Sequence, residues 1–465
     1  MSSPESTDGR RNDSLAARDV ATLLHPYTNL RAHEQAGPLV ITGGDGIYVT
    51  DEGGNRYIEG LAGLWCASLG FSERRLAEAA TAQLNRLPFY HLFGGKSHDR
   101  AIELAEQLLA LAPVPMARVF FANSGSEAVD TAIKLVWYVN NARGRPRKKK
   151  IIGRQKGYHG VTIASASLTA LPNNQRSFDL PLPGFLVTDC PHHYRFADPG
   201  ESEEQFATRL AANLEALILR EGPETIAAFI AEPVQGAGGV IVPPPGYFEK
   251  VQAVLKRHDV LLIADEVITG FCRTGALFGS ETFGLKPDIM TMAKALTSGY
   301  QPLSAVMIAP HLYDAIADES ARIGTFGHGF TYSAHPVPAA VALETLRIYQ
   351  ERDILGHVRA MTPLLQQGLR RFAEHPLVGE VRGVGLIAGI ELVADRATKA
   401  PFEPPGRAGA LAMREAQARG LILRALGDTL AICPPLIIQP AEIAALLERL
   451  GGALDAAWSA LRRTA

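Results

Sequence analysis

From about Ala77 onward, short apolar runs alternate with longer stretches whose apolar residues recur at helical spacing. The runs are VFFAN (119–123), KIIGR (150–154), AFIAEP (228–233), LLIADEV (261–267), DIMTMA (288–293) and SAVMIA (304–309). Strands that are apolar on both faces are buried on both faces, so the pattern predicts an α/β fold with a mainly parallel, helix-covered sheet. Upstream, Leu15 to Leu24 is spaced as a helix that stops before Pro26. LVITGGDGIYVTDEGGNRYIEG (39–60) then alternates apolar and polar residues between glycine clusters, which predicts a small antiparallel meander. A helical run from Pro336 leads to GVGLIAGIEL and LAICPP, both read as strands, and to a last helix from Ala441.

Composition narrows the class. With 465 residues, 47% of them hydrophobic and 20% charged, the chain predicts a globular protein of more than one lobe. A net charge of −2 gives no general attraction to nucleic acid or membrane surfaces. The basic stretch ARGRPRKKK (142–150) carries no interleaved aromatic residues and reads as a solvated turn. The N-terminus lacks an apolar signal core, and no run approaches the roughly 20 apolar residues that span a bilayer. Cys66, Cys190, Cys272 and Cys433 are widely spaced, as expected for reduced thiols in the cytoplasm. His192-His193 and the scattered histidines lack metal-ligand spacing, so no metal is expected.

Chemistry concentrates at predicted strand ends. Asp265 closes LLIAD, and Lys294 follows DIMTMA ahead of a sharp LTSGY turn. Such a pair suits pyridoxal 5′-phosphate: the lysine amine forms an imine with the aldehyde, and the carboxylate keeps the pyridine nitrogen protonated. A lysine in a dry pocket loses stability as a cation, which frees its amine for imine formation and proton transfer. Ser124, Gly125 and Ser126 lie between a strand and a helix, where free N–H groups and the helix dipole suit a phosphate dianion. The same Ser-Gly-Ser serves equally as an ordinary N-cap. Glu232 ends another strand before a glycine-rich loop.

Around these residues the sequence resembles the class III (ω) aminotransferases nearly from end to end, and most of all the amine:pyruvate branch. The resemblance rests on NSGSEA (123–128), KGYHG (156–160), AEPVQGAGG (231–239), DEVITGFCRTG (265–275), the Lys294 segment and HGFTYSAHP (328–336). It implies a fold type I enzyme with a seven-stranded, mainly parallel sheet. The boundaries expected are a mobile stretch at 1–12, a large cofactor-binding domain at 77–335, and a small α+β domain built from 13–76 and 336–465. By the same resemblance, Ser124, Gly125 and Ser126 cup the phosphate, and Tyr158 and Val267 cover the two ring faces. His159 supports, Glu232 holds the ring-binding network, and Asp265 pairs with the pyridine nitrogen. Phe330 and Thr331 reach the phosphate of a neighbouring subunit, which implies a homodimer with shared sites that can pair into a tetramer.

The reaction implied is ping-pong transfer of an amino group from a primary amine, an ω-amino compound, to pyruvate. Trp65 in GLWC and Phe93 in PFYHLFGGKSH would line the substrate pocket, with Tyr158 facing it. Arg424 in GLILRALGD would pair with a keto-acid carboxylate and swing aside for an amine without one. Plain core packing for Trp65 and a surface ion pair for Arg424 stay open, as does a decarboxylase or aminomutase on the same scaffold. Gly94-Gly95 stand where many relatives carry a bulkier residue, which suggests room for bulky amines, and Ala334 stands where relatives often have glycine.

Overall fold

The computed structural model describes residues 14–463; the stretch expected to be mobile, 1–12, lies outside them. Among the described residues, fifteen strands follow in chain order. β1 (Ile41–Asp45), β2 (Tyr48–Asp51) and β3 (Arg56–Glu59) precede β4 (Arg118–Ala122), β5 (Lys150–Arg154) and β6 (Phe185–Thr188). β7 (Ile226–Ala231), β8 (Leu261–Asp265), β9 (Ile289–Met292) and β10 (Ser304–Ile308) complete the central set. β11 (Val378–Val384), β12 (Ile387–Leu392), β13 (Leu421–Ile422), β14 (Arg424–Leu426) and β15 (Thr429–Ile432) close the list.

The central sheet has seven strands in the order β4-β10-β9-β8-β7-β5-β6. β7 to β10 are buried along their whole length, which is why they read as unbroken apolar runs. Alternate residues enter different cores. Leu261 and Ile263 pack with the helix Gly125–Ala142, whereas Leu262 and Ala264 join the larger cluster on the other face. β6 is an edge strand with partly exposed residues, and its FLVT sequence lacks the apolar continuity of the others.

One strand runs against the rest. β10 pairs antiparallel with both β4 and β9, while β5 to β9 pair parallel. The cause is local: the connection Ala293 to Leu303 is too short for a parallel crossover, which needs a dozen or more residues. It turns through the 3-10 helix Lys294–Thr297, then Ser298 (φ 52°) and Gly299 (φ 76°) in the left-handed region. Lys294 stands at the start of this reversal.

The predicted meander is β1-β2-β3, and β13 from the far end of the chain adds to it in parallel beside β3. GVGLIAGIEL is not one strand but the turn of the β11-β12 hairpin, with Gly385 at φ 56°. The first helix runs Leu15–Thr22, and a second, Leu30–Ala36, follows it. The long helix after His335 is Pro336–Glu351, and the last is Pro440–Arg463. In the basic stretch, Arg145 and Lys148 pair with Asp259, and Lys150 pairs with Glu221 at 2.8 Å. Among the described residues no helix is long and apolar enough to cross a membrane.

Candidate active site

All strands of the central sheet except β10 point the same way, and the chemistry collects just beyond their C-terminal ends. Asp265 is the last residue of β8, Glu232 follows β7 directly, and Lys294 comes two residues after β9. Ser124 follows β4, and the Tyr158-His159 loop follows β5. Together they frame a cavity of about 120 Å³ lined by Gly125, Ser126, Tyr158, Glu232, Asp265 and Lys294, with His159, Gly160, Val267, Ile268 and Ala293.

Asp265 is 4% exposed, and its Oδ2 lies 2.7 Å from His159 Nδ1. Oδ1 accepts from the Val267 N–H at 3.2 Å. The neighbouring Glu266 points the other way, as alternation along a strand requires. Its carboxylate is buried on the Gly279 and Ser280 N–H groups and on the Ser280 and Thr269 hydroxyls. So Glu266 caps the next helix, and Asp265 alone faces the cavity. Glu232 ties two loops together, accepting from the Tyr158 N–H and the Gly236 N–H, each at 2.9 Å. Burial pushes its carboxyl above the usual range, and nearby Asp265 adds to that.

Lys294 sits at φ 49°, a left-handed conformation rare for a residue with a side chain. Burial pulls its ammonium below the usual lysine range, against the pull of Cys66, Asp265 and Glu232. The amine is thus biased toward its neutral, nucleophilic form. Tyr158 is shifted the opposite way: burial, then its hydrogen bond with Tyr27, raises its phenol well above the tyrosine range.

Ser124 caps the helix Gly125–Ala142 in a reciprocal box with Glu127, so the N-cap reading is correct for its side chain. The Gly125 and Ser126 N–H groups have no acceptor among the described residues and open toward the cavity. Gly125 lets the turn lie close to Val267, since a Cβ would meet Val267 Cγ1 at 3.1 Å and push it back by a few tenths of an ångström. At Gly160 (φ 131°) a Cβ would lie 2.6 Å from Ser126 Oγ, so only glycine lets the aromatic loop rest on the serine turn. These donors, the Asp265 and Glu232 side chains and the buried Lys294 amine match the phosphate, pyridine nitrogen and aldehyde of pyridoxal 5′-phosphate, so the residues fit that group.

The remaining predicted residues stand outside the cavity of their own chain. Trp65 is 3% exposed and packs with Leu61, Val234, Ile268 and Ile387, at φ 66°. Phe93 is half exposed and lies against Gly329. Thr331 is exposed, and Phe330 packs edge-on to Phe120. Ala334 is held at φ 53°, a left-handed conformation that favours glycine. Arg424 begins β14, its guanidinium 5.7 Å from the Tyr27 ring, with no carboxylate partner among the described residues. The surface ion pair is therefore not formed.

Tyr27 itself escaped sequence reasoning. Its hydroxyl lies 3.4 Å from the Tyr158 hydroxyl and also takes a hydrogen bond from Asn174. Thr169 was missed as well; its Oγ1 accepts from the His159 N–H at 2.8 Å and fixes the loop. Neither carries a motif: Tyr27 acts through long-range packing, and Thr169 through a loop that folds back over ten residues.

The family model for class-III aminotransferases matches residues 30–454. Gamma-aminobutyrate transaminase 1, mitochondrial, of Oryza sativa subsp. indica is 54% identical over 435 residues, 93% of this chain and 84% of that protein. The omega transaminase of Pseudomonas jessenii in complex with PMP superposes with a TM-score of 0.95 at 59% identity, covering 96% of this chain and 98% of the other. A thermostable omega transaminase variant engineered for asymmetric synthesis of enantiopure bulky amines gives 0.95 at 58% identity, covering 96% and 99%. The chain belongs to the class III aminotransferases, enzymes of fold type I that work with pyridoxal 5′-phosphate.

Proposed function

We propose that the enzyme moves an amino group from a primary amine, an ω-amino compound, to pyruvate, releasing an aldehyde or ketone and alanine in a ping-pong cycle. The observation that carries this reading is Arg424, whose guanidinium lies 5.7 Å from the ring of Tyr27, the neighbour of the cavity-lining Tyr158, with no carboxylate partner among the described residues. A guanidinium in that place suits the carboxylate of a keto acid or of an ω-amino acid. The omega transaminase of Pseudomonas jessenii supports an amine donor, and the rice enzyme's name adds gamma-aminobutyrate to the candidate donors.

The bound cofactor supplies an electron sink for the substrate Cα–H bond. Lys294, whose buried amine leans toward its neutral form, would hold the cofactor and take up and return the proton of the substrate Cα. Asp265 holds the proton on the pyridine nitrogen, and His159 fixes the orientation of that carboxylate. Tyr158 and Val267 bracket the ring, and Glu232 ties the Tyr158 loop in place. Ser124, Gly125 and Ser126 receive the phosphate.

Phe93 touches Gly329, so Phe93, Phe330 and Thr331 present one surface together. We read that surface as completing the partner subunit's site in a homodimer, Thr331 at the phosphate and Phe93 at the substrate, with Trp65 backing the pocket from within. The four cysteines are free, three of them buried, in keeping with the cytoplasm or another reducing compartment.

The test is an amine-donor panel with pyruvate, following alanine. Alanine formed one-for-one with donor consumed, and none without pyruvate, is expected. Carbon dioxide release, or turnover without an acceptor, would replace transamination by lyase or mutase chemistry. Lys294→Ala should lower turnover by about 10²–10⁴.

A further inference from the structure

Two groups of histidine and carboxylate side chains converge away from the cofactor cavity. In the first, His192 Nε2 lies 2.8 Å from Glu380 and 3.7 Å from Glu391. Arg382 already bonds both carboxylates, at 2.5 and 2.6 Å, so a cation occupies that place. The second group is different. Asp19 Oδ2 lies 2.7 Å from His25 Nε2 and 3.0 Å from His33 Nε2. No lysine or arginine reaches Asp19 among the described residues.

We propose that Asp19, His25 and His33 bind a divalent transition ion of the zinc class. Two imidazole nitrogens and one carboxylate oxygen are the donor set such ions prefer. The three donor atoms lie within 4.8 Å of one another. A tetrahedral ion with bonds near 2.1 Å needs donors about 3.4 Å apart, so each Asp19–histidine separation opens by less than about 1 Å to admit it. The two imidazole ring centroids are 4.1 Å apart with planes tilted by 37°, and both Nε2 atoms meet the same Asp19 oxygen. The side chains of His33, Asp19 and His25 are 9, 16 and 26% exposed, which leaves an entry path and a fourth position for water.

The surrounding structure gives the ion a role. Asp19 lies on the helix Leu15–Thr22, His33 on the helix Leu30–Ala36, and His25 in the link between them. The two helices have 8 and 7 residues and bury none of them. Helices that short do not stand alone in water, and small units without a core are commonly stapled by metal. The link also carries Tyr27, held at φ 51° with its hydroxyl 3.4 Å from that of Tyr158. An ion on the triad would therefore brace Tyr27 at the rim of the active site.

The test uses tag-free, cofactor-loaded enzyme, stripped with chelator and titrated with cobalt(II), then with zinc. One cobalt per chain with tetrahedral visible bands, displaced by zinc, is expected. The His25→Ala/His33→Ala double variant should bind at least about tenfold more weakly and lose the bands. Asp19→Asn keeps an acceptor for both imidazoles, so its loss of the ion with cofactor retained would separate ligation from folding. Glu380→Gln should bind like wild type. Zinc should also slow amide exchange across residues 15–36. Equal binding by wild type and the double variant, or loss of the ion in Glu380→Gln instead, would overturn the assignment.

Discussion

His159 Nδ1 and Asp265 Oδ2 are 2.7 Å apart, joining two buried residues 106 positions apart in the sequence. A hydrogen bond to a buried carboxylate is worth about 1.5–3 kcal/mol. His159→Ala should therefore weaken cofactor retention by roughly ten- to hundredfold, with turnover falling alongside. Equilibrium dialysis of the cofactor checks the first, and steady-state rates the second. Unchanged retention would mean that the imidazole only fills space.

Arg424 should matter in one half of the cycle. Arg424→Ala is expected to slow the pyruvate half-reaction by about ten- to hundredfold while leaving an uncharged amine donor nearly unaffected. Single-turnover kinetics of the two halves separate the effects. An equal loss in both halves would show that the guanidinium shapes the site without reading a carboxylate.

Tyr27→Phe removes the hydroxyl that meets Tyr158 and Asn174. The cost of one such bond is about 0.5–1.5 kcal/mol, so kcat/KM should fall roughly two- to tenfold with the fold unchanged. The Tyr158 phenol should titrate closer to its ordinary value in the variant, because its bond with Tyr27 helps to raise it. Ultraviolet pH titration against wild type reads that change.

Glu59 supplies a pH dependence. It is 4% exposed at the end of β3, and burial raises its carboxyl to about 8. A raised carboxyl means that the folded chain holds a proton the unfolded chain has released. Its contribution to stability is present below about pH 4.5 and is lost as pH rises to about 8. Denaturant midpoints of Glu59→Gln measured from pH 5 to 9 should accordingly show a flatter decline than wild type. Parallel curves would refute the shift.

Gly94 leaves open space beside Phe93: a Cβ there meets nothing closer than Lys96 Nζ at 3.6 Å. If that space serves bulky donors in the partner's pocket, Gly94→Phe should lower the bulky-to-small rate ratio by about tenfold. A ratio unchanged by the substitution would place the specificity elsewhere. Since Gly94 sits at φ 64°, thermal midpoints should be taken alongside to account for backbone strain.

What could be read in the sequence was set by burial. Strands covered on both faces must be apolar throughout, so β7 to β10 announced themselves, and the residues at their ends followed. β6 did not, because an edge strand tolerates solvent on part of its surface. Asp265 and Glu266 are indistinguishable by composition; only the alternation of the strand assigns one to the cavity and the other to a helix cap. Tyr27 could not be found, since its partners Tyr158 and Asn174 are fixed by how distant segments pack, and Thr169 could not because the loop back to His159 carries no motif. The triad of Asp19, His25 and His33 was passed over because its spacing follows no metal motif, and only the helix-link-helix path brings the three together.

The parallel pairing of β3 with β13 has a further consequence. Ile58 donates to the Gly420 carbonyl at 2.8 Å, and Gly60 to that of Ile422 at 2.9 Å. The edge of β3 must therefore wait on the ribosome until residues beyond Ile422 emerge. At about 5–20 residues per second, that delay is on the order of 20–70 s. Through that interval the nascent meander exposes an unpaired edge, the kind of surface that chaperones shield and that aggregation exploits. Truncation or stalling before Leu421 should leave the N-terminal segment without its neighbour, however complete the central sheet already is.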